Sequence, residues 1–400
     1  MRFALFAISF VSVLGIAASY MAWRLLGPAK LGRLRNMVII ALIACFIFTI
    51  PLLIIVRSEG LENIALDILA GIAYIGLGFM SFVFTFLIIR DTVWLPVSIF
   101  RKIKKRLRHK NIPNPTPNPP PDADRRRFIL NSVNTGILAS AGILTGYGTV
   151  QAKKLPGIKT VRVPFHGLPQ GLDGLKIVQL TDIHVSATTK RPFVEKIVDA
   201  ANRLSPDIIT ITGDLVDGSV SHLSRDVEPL KKLRSRFGNY FVTGNHEYYS
   251  GVEHWVNKIN ELGFTVLVNE HRIIHRGGSR LLLAGVTDFR GGRFSPLHRS
   301  DPKKAVDNAG PSDLKILLAH QPKSIFGASA AGFDLQISGH THGGQFFPWI
   351  FFVYLSQPFD VGLHQYKNTT LYVSAGTGYW GPPVRVGSPS EITQIELVSV

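Results

Sequence analysis

Five short polar clusters, each following a short apolar run, constrain this chain more than any other feature. In order they are Asp182-Ile183-His184, Gly213-Asp214-Leu215-Val216-Asp217, Gly244-Asn245-His246-Glu247, His320 and Gly339-His340-Thr341-His342. The runs before them are Lys176 to Leu180, Ile208 to Ile211, Tyr240 to Val242, Ile316 to Ala319 and Leu335 to Ile337. Runs of this length and character read as buried strands. Side chains at the ends of several parallel strands converge on one crevice, however widely the sequence separates them. Further strands are expected at Phe264 to Val268, Leu281 to Val286, Leu314 to Leu318, Thr370 to Ser374 and Ile392 to Leu397. Amphipathic spacing predicts helices at Pro192 to Leu204 and His254 to Leu262. The stretch from Thr160 onward therefore reads as one layered α/β domain with its own core.

The first part of the chain obeys different rules. Phe3 to Trp23 and Met37 to Val56 are uncharged and long enough to span a bilayer as helices. Pro51 in the second is tolerated in a membrane helix. Ile64 to Ile89 is a third span, broken by Asp67 near its start, where a carboxylate reaches the headgroups. The glycines of Gly71-Ile72-Ala73-Tyr74-Ile75-Gly76 suit close helix packing. Residues 1–100 thus form a transmembrane region of about three helices.

Charge sets the orientation. The chain carries 44 Lys+Arg against 27 Asp+Glu, a net +17. The densest basic run, Arg101-Lys102-Ile103-Lys104-Lys105-Arg106-Leu107-Arg108, follows the third span, and Arg24, Lys30, Arg33 and Arg35 lie between the first two. Both loops are expected in the cytoplasm, and the loop Arg57 to Asn63, with Glu59 and Glu62, outside. No basic helix or aromatic-rich RNA motif accompanies the charge, so nucleic acid is not an expected partner. The single cysteine, Cys45, excludes an intrachain disulfide and a thiolate metal site.

Residues 101–124 read as a basic and proline-rich cytoplasmic linker, with Asn111 to Pro121 extended. Residues 125–152 begin Arg125-Arg126-Arg127-Phe128-Ile129-Leu130 and continue weakly apolar to Val150. This resembles a twin-arginine export signal, and a fourth membrane helix with an arginine flank reads equally well. Either sends residues 153–400 across the membrane. Val150-Gln151-Ala152 has the spacing of a cleavage site; retention as an anchor is the favoured reading.

Carboxylates and imidazoles without thiolate suit two divalent cations of the Mn, Fe, Zn or Co type. Asp182 and His184, two apart, would share one side of an extended chain. Asp214 can bridge two cations through its two oxygens, and water held between such cations becomes acidic enough to attack phosphorus. Asn245 offers a neutral oxygen. His246 can give a proton to the leaving oxygen, with Asp217 orienting it. Arg290 and Arg293 could hold a substrate phosphate or simply be solvated. Phe346, Phe347, Trp349, Ile350, Phe351 and Phe352 are either core or a membrane-facing lip.

From about Val161 to its end the chain resembles the calcineurin-like metallophosphoesterases, most closely a bacterial membrane-anchored subgroup with a twin-arginine-type segment before the catalytic domain. Gly339-His340-Thr341-His342-Gly343-Gly344-Gln345, Ser374-Ala375-Gly376-Thr377-Gly378 and Pro383-Val384-Arg385 carry the likeness beyond the clusters themselves. The resemblance implies a four-layer sandwich, two mixed β-sheets flanked by helices, with the site at the sheet edges. It also implies that Asp182, His184, Asp214 and His342 hold a first metal. Asp214, Asn245, His320 and His340 would hold a second, with His246 catalytic. A multi-pass protein of the bacterial inner membrane is then expected, with an extracytoplasmic domain hydrolysing a phosphodiester, pyrophosphate or phosphomonoester. Its membrane setting favours a lipid-linked substrate. The alternative is a non-catalytic scaffold or sensor that keeps the metal-binding fold.

Overall fold

The computed structural model describes residues 2–29, 31–110 and 123–400. The extended proline-rich stretch expected at Asn111 to Pro121 lies outside the described residues. Four long helices come first: α1 (Arg2–Ala29), α2 (Arg33–Ser58), α3 (Ile64–Lys110) and α4 (Ala123–Lys153). Those over Arg33–Arg57, Ile64–Pro96 and Asp124–Lys153 are long and apolar enough to cross a membrane. The basic run after the third span continues α3 as helix to Lys110.

The described residues form two compact units, residues 1–59 with 72–147, and residues 60–71 with 148–400. In the first, a side chain added at Gly76 would collide with the Phe46 ring, so the glycine permits the close approach expected of it. Polar groups at the far end of the α3 span tie three helices together. Asp91 pairs with Arg24 and with Arg90 (2.8 Å) and accepts from Tyr20 Oη (2.6 Å). Arg90 also donates to Asn134 on α4.

The second unit contains twelve strands in two six-stranded mixed sheets. The first sheet consists of β1 (Gly157–Phe165), β2 (Lys176–Leu180), β3 (Ile208–Ile211), β4 (Asn239–Phe241), β5 (Phe264–Val266) and β12 (Glu391–Ser399). Their order is β1-β12-β2-β3-β4-β5, with β2 to β5 mutually parallel. The second consists of β6 (Glu270–Arg276), β7 (Ser279–Gly285), β8 (Leu314–Leu318), β9 (Leu335–Ser338), β10 (Gly362–Tyr366) and β11 (Thr369–Val373). Its order is β10-β11-β9-β8-β7-β6, with β7, β8, β9 and β11 parallel.

Alternation along these strands builds three buried layers. Ile177, Ile208, Val242, Leu283, Ile316, Ile337, Tyr372 and Ile395 form one core with contributions from both sheets. Val178, Leu180, Ile209 and Ile211 of the first sheet pack with Val194, Ile197 and Val198 of α5 (Arg191–Arg203). The same core takes in Leu223 and Val227 of α6 (Val220–Val227). The five-residue α7 (Asn245–Tyr249) leads into α8 (Val252–Glu261), which adds Trp255 and Ile259. Leu282, Ala284 and Leu317 pack against Ala328 of α9 (Ile325–Ala330). The domain is therefore the expected four-layer sandwich, two mixed sheets flanked by helices.

Asp67 departs from its expected setting. It is buried, its carboxylate 2.7 Å from Lys190 Nζ and 3.1 Å from His222 Nε2. Glu62 likewise accepts from the Ser219 amide at 3.3 Å. The nearby ammonium and imidazole offset part of the cost of taking this carboxylate out of water.

Candidate functional site

The parallel strands bring the five clusters to one place. Asp182 and His184 follow β2, Asp214 and Asp217 follow β3, and Asn245 and His246 open α7 after β4; His320 follows β8, and His340 and His342 follow β9. One group is Asp182, His184 and His342; a second is Asp214, His320 and His340; within each, the candidate ligand atoms lie within 4.8 Å of one another. His184 Nε2 stands 3.1 Å from His342 Nε2, and His340 Nδ1 stands 3.0 Å from His320 Nε2. Asp214 Oδ2 reaches toward both groups, 3.0 Å from His320 Nε2 and 3.9 Å from His184 Nε2.

The expectation that Asp182 and His184 share a face of extended backbone does not hold. Asp182, His184, Asp214, His340 and His342 all adopt positive φ, between 49° and 73°. This left-handed backbone costs a residue with a side chain about 1 kcal/mol, and it turns the side chains inward. The polar framework holds those turns in place. Glu247 accepts from the amides of Asp214 (3.0 Å), Leu215 (2.8 Å) and Gly244 (2.6 Å). A side chain at Gly244 would overlap the Asp214 carboxylate, so the two loops close only on glycine.

The residues fit divalent cations. Asn245 Oδ1 is buried without a hydrogen-bond partner, an acceptor left for something other than a protein donor. The facing ring nitrogens can share a cation through their lone pairs. Electrostatics agree. Burial would raise the Asp214 carboxyl, but His320, His246 and His184 hold it well below its usual range. Burial, aided by Asp214, raises Asp182 despite the charges of His320 and His184. Against burial, Asp214 and Asp182 lift His320 to about 10, and Asp217 and Asp214 lift His246 to about 9. Burial and neighbouring cationic groups depress His340 and His342. Protons on His320 and His246 thus balance carboxylates whose charge a divalent cation could balance instead.

A model of the calcineurin-like phosphoesterase family matches residues 175–344. The chain is 39% identical over 280 residues to "Transmembrane protein with metallophosphoesterase domain" of Danio rerio, covering 68% of this chain and 63% of that protein. The protein of the same name from Bos taurus is 44% identical over 266 residues, 64% of this chain and 60% of its own length. An "Uncharacterized metallophosphoesterase" of Helicobacter pylori is 38% identical over 282 residues, 68% of this chain and 72% of its own length. The chain belongs to the calcineurin-like metallophosphoesterase family. It spans less than two thirds of the two vertebrate relatives. Their names and the three apolar helices together point to a membrane protein.

Within the phosphoesterase domain, Asp217 lies between two imidazoles, 3.1 Å from His184 Nδ1 and 2.5 Å from His246 Nδ1. It can therefore fix the ring orientation of both. The centroid of the His246 ring lies 5.2 Å from that of Tyr249 and 5.5 Å from that of Trp380. Sequence reasoning gave no role to Glu247, whose sign is its place beside Asn245 and His246 where three amides need an acceptor. It also gave none to Arg385, which is wholly buried and donates to the carbonyls of Gly378 (3.0 Å) and Ser388 (3.1 Å). Arg290 and Arg293 belong to neither ligand group. Of the apolar segment after His342, Phe346 is buried, as a core residue would be, while Trp349, Phe351 and Phe352 are exposed.

Replacing Glu247 with alanine is expected to destabilise the domain by ~3 kcal/mol, because three buried amides lose their acceptor. A lower denaturant midpoint at unchanged slope would show this. A midpoint equal to wild type would remove the organising role.

Proposed function

We propose that the chain is a membrane-anchored phosphoesterase that hydrolyses a phosphodiester, pyrophosphate or phosphomonoester. The supporting observation is the position of the Asp214 carboxylate between two imidazole-containing groups, with His246 and Asp217 alongside. Asp182, His184, Asp214 and His342 would hold one cation, and Asp214, Asn245, His320 and His340 the other. Two such cations, when bound, supply Lewis acidity that neutralises phosphoryl oxygens and acidifies water. His246 gives a proton to the leaving oxygen from its Nε2, because Asp217 occupies its Nδ1. Asp217 holds the ring in that orientation and stabilises its charged form.

The chemistry is tested with the full chain in nonionic detergent, using p-nitrophenyl phosphate and bis(p-nitrophenyl) phosphate with Mn, Zn, Fe or no added metal. Metal-dependent cleavage is expected, and the preferred ester decides between monoesterase and diesterase. A folded, metal-loaded protein that turns over neither substrate would favour the scaffold reading. A lipid-linked substrate draws support from the exposed Trp349, Phe351, Phe352, Tyr354 and Leu355, which follow the last ligand segment. Lipid phosphates in mixed micelles should then be cleaved faster than soluble esters.

We place the domain outside the cytoplasm of a bacterial inner membrane, with 125–152 a twin-arginine-like fourth helix retained as an anchor. Burial of Ala152 supports retention, as does the bond from the Arg385 amide to Gly148 O (3.0 Å). The contacts of Glu62 and Asp67 with Ser219, Lys190 and His222 support a common side for the second loop and the domain. In a Cys45→Ser background, Gly60→Cys and Lys232→Cys should react with an impermeant maleimide on right-side-out vesicles. Arg126→Cys should react only after permeabilisation. Labelling of Arg126→Cys from outside would reverse the topology.

A further inference from the structure

A strongly cationic cavity opens a few residues along the chain from His320. The cavity, of about 630 Å³, is lined by Arg290, Arg293, Arg299, Lys323, Ser324 and Phe326, among others. Its cations lack ion-pair partners: among the described residues, no carboxylate lies within 4.0 Å of the four side chains' nitrogens. The nearby acid, Asp288, is engaged elsewhere, accepting from Gln321 Nε2 (2.7 Å) and from the Arg290 amide (2.8 Å). Unpaired like charges crowded around a concave surface repel one another unless an anion joins them. Burial and the charges of Arg290 and Arg293 lower the Lys323 ammonium, in keeping with that crowding.

An independent observation points to a ligand at the same place. Ser324 is only 4% exposed and lines the cavity, and its buried Oγ has no hydrogen-bond partner. A buried hydroxyl in that state calls for an acceptor or donor that the protein does not supply. Guanidinium groups and a hydroxyl together suit a group with several anionic oxygens. The cavity also adjoins the reaction centre. Lys323 follows His320 by three residues, and Asp288, two residues before Arg290, accepts from Gln321, the neighbour of His320 (2.7 Å).

We infer that Arg290, Arg293, Arg299, Lys323 and Ser324 bind a second phosphate of the same substrate, so that the enzyme acts on diphosphates or bis-phosphorylated compounds. This rests on the proposed phosphoesterase reading and deepens it. Phe289 and Phe326, both 49% exposed, flank the cavity and can cover the group between the two phosphates.

The test compares the wild-type full chain in nonionic detergent with Arg290→Ser/Arg293→Ser and with Asp214→Asn. Calorimetric titration of EDTA-treated protein with inorganic phosphate reads the subsite without turnover. One site is expected in wild type and in Asp214→Asn, weakened about tenfold or more in the double arginine variant. With metal restored, the double variant should raise KM for ADP about tenfold more than KM for p-nitrophenyl phosphate. Equal phosphate affinity in all three proteins overturns the subsite. Weakened phosphate binding with equal changes in the two KM values means a site for free phosphate, which overturns the substrate assignment. If the wild type hydrolyses neither substrate, the phosphoesterase reading fails, while the titration still decides the subsite.

Discussion

Asp214→Ala is expected to lower kcat/KM by about a thousandfold or more, because it removes the group shared by both halves of the site. Asp214 Oδ2 lies 3.0 Å from His320 Nε2, 3.9 Å from His184 Nε2 and 4.0 Å from His246 Nε2. No other carboxylate among the described site residues reaches imidazoles of both groups and His246 at once. Its Oδ1 accepts from the His246 amide at 2.9 Å, so the same loss loosens the start of α7. Two measurements separate the consequences. Metal content of the purified protein should fall, and turnover should not recover when metal is added in excess. A variant that keeps both its metal and its rate would refute the bridging role.

His246→Ala should leave the metals in place and lower kcat by about 10²- to 10⁴-fold, the usual range for a positioned general acid. The size of the loss should depend on the leaving group. An alkoxide departs poorly without a proton, whereas p-nitrophenolate hardly needs one, so alkyl esters should suffer far more than p-nitrophenyl esters. The geometry gives the reason: Asp217 engages Nδ1 at 2.5 Å, which leaves Nε2 as the ring nitrogen that can carry the transferred proton. An identical loss for both ester types would assign His246 to binding or metal support instead. Asp217 touches His184 as well, so its replacement should mix both effects.

Much of the domain was legible along the chain. Strands β2, β3 and β8 coincide with apolar runs read from sequence, and α5 lies within one residue of its expected ends. These elements are buried on both faces or on one clear stripe, so their pattern is unambiguous. Strands β1, β6 and β10 carry no such signature. All three lie at sheet edges with partly exposed patterns, so no continuous apolar run marks them. The setting of Asp67 is not legible along the chain, because its partners, Lys190 and His222, lie more than a hundred residues away.

The order of residues along the chain establishes which side chains can bind cations and that they stand at strand ends, because burial forces apolar runs and the polar residues must follow them. How they meet is settled by the folded chain. The left-handed turns at Asp182, His184, Asp214, His340 and His342 are only weakly marked in the sequence, since Asp and His enter that backbone more often than most side chains do, yet seldom. The same holds for Glu247 binding three amides and for four cations and Ser324 around one cavity. Hydrogen bonds and charge act through space, and folding alone sets which groups stand within a few ångströms of one another.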